Sequence, residues 1–188
     1  MAGFLKLITA PTIEPVTVDE VKLHTHISHD VEDSMLANWI KSARELAEGY
    51  HGRSYLTQTW ELSFDRFPPV PVLLPQSPVQ SVIWIKYYDT DNVERIFDPA
   101  YYLVDSDSAP GRVTLAFCKI WPVIMLRPIN AVKIRYVAGY GPTPATVPEN
   151  VRDAIMLYCA YRNESRAGEG GPVPEHFFDL LRPDRLKS

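Results

Sequence analysis

Three of the five histidines in the chain fall within six positions, His24, His26 and His29 in the stretch "KLHTHISHD", and Asp30 follows directly. Imidazole and carboxylate are both ligands of first-row metals, so a metal-dependent enzyme centred on His24, His26 and His29 is one candidate chemistry. Spacing tests it: if residues 18–27 are helical, His24 and His26 point about 200° apart around the axis and cannot share one ion. His26 and His29, three apart, can meet, but no His-Glu-x-x-His pattern and no nearby Cys completes a tetrahedral set. The plainer reading is a set of polar residues on a short solvated helix and the turn after it, with no metal. "DTDN" (89–92) places acidic oxygens at alternate positions as a calcium loop does, yet Glu94 stands where such a loop requires glycine. A hairpin tip is the expectation there, and "DSDSAPG" (105–111) reads as a loop.

Nucleophilic and phosphate-binding chemistry leave no clearer trace. The two cysteines, Cys118 and Cys159, share no motif spacing, and Cys159 sits in a helical apolar stripe where structural thiols are common. No Gly-x-Ser-x-Gly turn occurs, and "GEGG" (168–171) follows a helix instead of a strand, which makes it a chain break and not a phosphate cradle. The residues therefore predict no catalytic set and no cofactor.

The elements that position these residues follow from periodicity. Thr17 and Glu20 form a capping-box pattern, so a helix is expected over about 18–27, with Val18, Val21 and Thr25 on one side. Met35, Leu36, Trp39, Ile40, Ala43, Leu46, Ala47 and Tyr50 trace a helical stripe over 31–51, with acidic residues at its start and Gly52 placed to close it. From Thr57 the period changes to two, as in Trp60, Leu62 and Phe64. Strands are expected in "SVIWIKYY" (81–88), "YYLVD" (101–105), "RVTLAF" (112–117) and "AVKIRYVAGY" (131–140), within a β region of about 57–140. Prolines at 68, 69, 71, 75 and 78 confine any strand between them to short or edge positions. A third helix is expected over 148–165 and a short one over 174–182, tethered by the glycine-rich break in a tail of residues 166–188.

Together these predict an α+β fold in one domain of 188 residues. An N-terminal helical hairpin and the C-terminal helices pack together, and an antiparallel β region of several short strands is inserted between them. Apolar residues make up 46% and charged residues 22% of the chain, a composition that supports a packed core. No apolar run reaches the roughly 18 residues that span a bilayer, and the N-terminus has no signal-peptide pattern, so a cytoplasmic protein away from membranes is expected. The net charge of −4 argues against a surface built to grip nucleic acid, though not against one past which DNA slides. In the tail, Phe177, Phe178, Leu180 and Leu181 lie on a helix too short to hold its own core, so they must dock on their own domain or on a neighbouring subunit.

The blocks "EPVTVDEVKLHTHI", "DVEDSMLANWIKSARELAEGYHGRSYLTQTWEL", "LPQSPVQSVIWIKYYDTDN", "RYVAGYG" and "VPENVRDAIMLYCAYRNES" together resemble the head-tail connector proteins of tailed bacteriophages, over about residues 14–165. His51 stands where that pattern usually has Thr, and Asn92 where the hairpin tip usually has Gly. The resemblance implies a structural protein and not an enzyme. Its subunits would form a ring, dodecameric in expectation, that docks beneath the portal protein at the head-tail junction of a virion assembled in the bacterial cytoplasm. Such a ring would extend the DNA channel, touch passing DNA transiently, and present a platform for the next connector or the tail. Besides the metal enzyme, one further reading stays open at this level: a monomeric β-type binding module with Trp84, Tyr87, Tyr88, Tyr101 and Tyr102 as a ligand platform.

Overall fold

The structure, a computed structural model, describes residues 3–165 and 173–182. The chain divides into two compact units, a β unit of Thr57–Tyr140 with the N-terminal residues through Ala10, and a helical unit of Pro11–Leu56 with the residues from Gly141 onward.

In the β unit, β1 (Phe4–Thr9), β2 (Gln58–Phe64), β4 (Val79–Tyr88), β5 (Glu94–Phe97) and β8 (Val132–Ala138) form an antiparallel sheet in the order β1-β2-β8-β4-β5. A smaller sheet has the order β3-β7-β6, from β3 (Val72–Leu74), β6 (Tyr102–Asp105) and β7 (Gly111–Leu115). The central strand β8 shows why the sequence alternates: Val132, Ile134, Tyr136 and Ala138 are buried, and the residues between them are half-buried on the opposite face. Leu62 and Ile85 lie opposite Ile134 from either side, and Phe97, Val72, Leu74 and Val113 complete the same core. Tyr136 is fully buried, and its hydroxyl donates to the Pro75 carbonyl at 2.8 Å, so the phenol keeps a partner inside.

Sequence periodicity expects strands only from Thr57, and the structure adds β1. That strand pairs only with β2, and five of its six residues are exposed, so burial imposes no alternation to read. The expected strand 112–117 is shorter than its pattern: β7 ends at Leu115, and Phe117 and Cys118 leave the sheet, Cys118 with a left-handed φ of 58°. The hairpin expected at 89–92 joins β4 to β5, and Asn92 adopts φ 60°, a conformation that Asn tolerates and that explains its presence where glycine is usual.

The helical unit holds α1 (Val18–Thr25), α2 (Asp33–His51), α3 (Glu149–Glu164) and α4 (Glu175–Leu181). The capping box forms as spaced: Thr17 Oγ1 accepts from the Glu20 amide at 3.2 Å, and Glu20 Oε2 accepts from the Thr17 amide at 2.7 Å. Helix α1 stops at Thr25 because His26 turns left-handed, φ 57°. Helix α2 buries Leu36, Trp39, Ile40, Ala43 and Ala47, and α3 buries Val151, Ala154, Ile155, Tyr158 and Cys159. Gly52 closes α2 with φ 66°, and nothing lies within 4 Å of where its Cβ would be. The cost of a side chain there is thus conformational alone. Gly52→Ala is expected to lower stability by about 1 kcal/mol in urea unfolding, and Gly52→Asn by less, because Asn visits the left-handed region more readily. The "GEGG" break and Pro183 lie outside the described residues.

Candidate interaction surfaces

The residues that suggested metal chemistry are not assembled into a site. His24, His26 and His29 are all exposed, and among the described residues no group of three or more His, Cys, Asp or Glu is placed to hold a metal ion. Asp30 and Asp33 instead pair with Lys22, which ties the start of α2 to α1. The acidic hairpin tip is closed on itself: Asp89 Oδ1 accepts from the amides of Asp91 and Val93, and Oδ2 from the Arg95 guanidinium. Burial pushes the Cys159 thiol up to about 12, which keeps it protonated and unreactive.

Asp105, in the second acidic loop, is similarly engaged. Its carboxylate accepts from the Ser108 hydroxyl and amide and from Arg112 Nε, and these bonds lower its pKa from 3.8 to about 2. The folded value lies below the unfolded one, so the loop's contribution is complete above about 3.8 and lost as the pH falls towards 2. Carboxyl resonances followed by NMR should place the Asp105 midpoint near 2, and Ser108→Ala should raise it. A midpoint of 3.8 in the folded wild type contradicts the geometry.

The aromatic residues of the β region do not form one platform. Tyr102 is in the core, and Tyr87 turns inward onto Phe67, ring centroids 5.5 Å apart. Trp84 lies on the opposite sheet face, with Lys86 Nζ 4.6 Å and the Arg135 guanidinium 4.5 Å from its ring centroid. That face carries a buried acid, Glu61, held by Lys133 at 2.8 Å and Arg135 at 2.6 Å. Burial alone raises the Glu61 pKa, but the two cationic partners outweigh it and hold the carboxyl below its ordinary value. Lys86 is likewise paired with Glu94. Each of these cations on the sheet face is thus paired with a carboxylate.

In the helical unit the tail helix is docked. Phe177 and Leu181 are fully buried, while Phe178 and Leu180 are half-buried. The Phe177 ring meets Tyr158 of α3 with centroids 5.7 Å apart, and Phe178 meets Tyr50 of α2 at 5.0 Å. His51 adds a polar latch that sequence reasoning missed. Its Nε2–H donates to the Leu181 carbonyl, which leaves Nδ1 to accept from the Tyr55 hydroxyl at 2.7 Å. Asn150 Nδ2 donates to the Leu180 carbonyl at 3.1 Å, so two adjacent terminal carbonyls of α4 are satisfied by side chains of α2 and α3. A second missed feature is Arg44, buried on α2 between Glu14 and Glu48.

Residues 15–98 match the family of phage gp6-like head-tail connector proteins. This is the family that the chain's own motifs resemble, and it is a structural connector family, not an enzyme family. The match covers less than half of the chain but runs from α1 through β5, so it takes in parts of both units. No curated protein matches the sequence. Among solved structures, a chain of the virion of a native gene transfer agent particle aligns with a TM-score of 0.82 at 21% identity, covering 98% of this chain and 96% of that one. A chain in the neck of the empty particle, computed with C6 symmetry, gives 0.82 at 23% identity over the same shares. One in the neck of the native particle, computed with C12 symmetry, gives 0.80 at 23%, again with 98% and 96% covered. At such identities these likenesses establish the fold.

Proposed function

We propose that this connector stands at the neck of a phage-like particle, where copies of it form a ring, dodecameric in the simplest case, beneath the portal protein. The ring continues the DNA channel out of the filled head and gives the next connector or the tail its docking platform. The observation that carries this reading is the connector-family match over residues 15–98, joined to a likeness along 98% of the chain to proteins of gene transfer agent necks. Two further properties support it. The net charge of −4, with Lys86, Lys133 and Arg135 already paired to carboxylates, suits a wall that DNA passes without being retained by counterion release. Helix α4 gives the helical unit a docking element in which Phe177 and Leu181 anchor the helix and Phe178 and Leu180 remain partly open to the portal or a neighbouring copy.

Particles assembled without this chain test the role directly. Filled heads and free tails should accumulate unjoined, and adding the purified chain should restore joining. Tailed particles that form in its absence would contradict the proposal.

A further inference from the structure

The connection from β7 to β8 is 16 residues long and contains no strand or helix. It nevertheless carries six large apolar side chains, Phe117, Ile120, Val123, Ile124, Met125 and Ile129, each between 41% and 93% exposed. Together they display several hundred Å² of apolar surface, on the order of the roughly 800 Å² that one partner gives to a standard protein interface. A soluble monomer rarely leaves such a segment uncovered.

The segment is also fixed at its base. Trp121 stacks on Phe67 with centroids 5.2 Å apart, meets Phe97 at 4.9 Å, and donates from Nε1 to the Pro68 carbonyl at 2.9 Å. At the other end the Arg127 guanidinium lies 3.8 Å from the Tyr88 ring centroid and donates to Asn92 and to the Asn130 carbonyl, while the Asn130 amide donates to Asp65 at 2.8 Å. An apolar loop tied down at both ends loses little freedom when it is covered, which is the condition for a preorganised contact. We infer that residues 117–129 are an arm that packs against a second copy of this chain.

This rests on the ring reading of the connector. A closed ring joins different faces of each subunit, so a protruding apolar device needs a receiving apolar face elsewhere on the same chain. The small sheet supplies one. Leu73 and Leu103 are exposed there, and Pro71, Leu103, Val104 and Thr114 line an open groove together with Asp105 and Arg112, whose charges are paired with each other.

The chain carries its own reporter. Cys118 is exposed within the arm, and the other cysteine, Cys159, is buried. Wild-type protein labelled substoichiometrically at Cys118 with a maleimide-benzophenone, assembled on its cognate portal and irradiated, should give adducts of two copies of this chain. A Phe117→Ser, Val123→Ser, Met125→Ser variant alters only exposed side chains. It should keep its thermal unfolding and single-copy portal binding but lose ring closure. Rings seen without copy-to-copy adducts, adducts formed only with another neck protein, or undiminished ring closure by the variant would each overturn the arm while leaving the ring. If wild type forms no ring on the portal, the ring reading falls and the arm with it.

Discussion

Replacing Arg44 with Ala is expected to destabilise the helical unit by about 3 kcal/mol or more, since breaking a buried ion pair strands its partners without compensation. Arg44 Nε donates to Glu14 at 2.7 Å and Nη1 to Glu48 at 2.7 Å, and Glu48 also accepts from the Tyr55 amide at 2.9 Å. Burial disfavours the guanidinium charge, and the two carboxylates outweigh it. The network therefore joins the segment before α1, the middle of α2 and the chain leaving α2. Hydrogen exchange of α2 amides in increasing urea measures the loss. Arg44→Met combined with Glu48→Gln should recover part of it, because Gln keeps an acceptor for the Tyr55 amide and leaves no buried carboxylate uncompensated. A cost for Arg44→Ala below 1 kcal/mol, the range of exposed pairs, would contradict the burial of this network.

Phe177→Ala should release α4. Truncating a buried Phe costs about 3–5 kcal/mol in a core that unfolds as a whole. Here the cost is limited by the free energy of docking, because a seven-residue helix has little stability once it leaves its site. The expected result is loss of exchange protection in α4 and greater exposure of Tyr158, with the β unit's unfolding unchanged. His51→Phe, which removes the latch to the Leu181 carbonyl, should act in the same direction with a smaller effect. Unaltered protection of α4 in Phe177→Ala would show that the ring contacts at Tyr158 and Phe178 do not hold the helix.

The helices were the most legible part of the chain because each carries its own punctuation. Thr17 with Glu20 marks the start of α1, Gly52 the end of α2, and the 36–47 stripe the face that packs. Arg44 and Glu48 sit four apart on that same face, a signal present in the sequence. Their burial depends on Glu14, thirty residues away from Arg44, and periodicity does not see such a partner. The His51 latch was hidden for the same reason, since it closes on a backbone carbonyl 130 residues distant. β1 was illegible because an edge strand with one partner and little burial has no face to declare. Phe117 fitted the strand pattern of 112–117, but β7 stops two residues earlier and leaves its side chain exposed.

Electron microscopy of the chain mixed with its cognate portal tests the central claim most directly. The account predicts a continuous ring of copies seated on the portal, with an axial opening in line with the portal channel. Isolated copies scattered on the portal, or no binding at all, would contradict it.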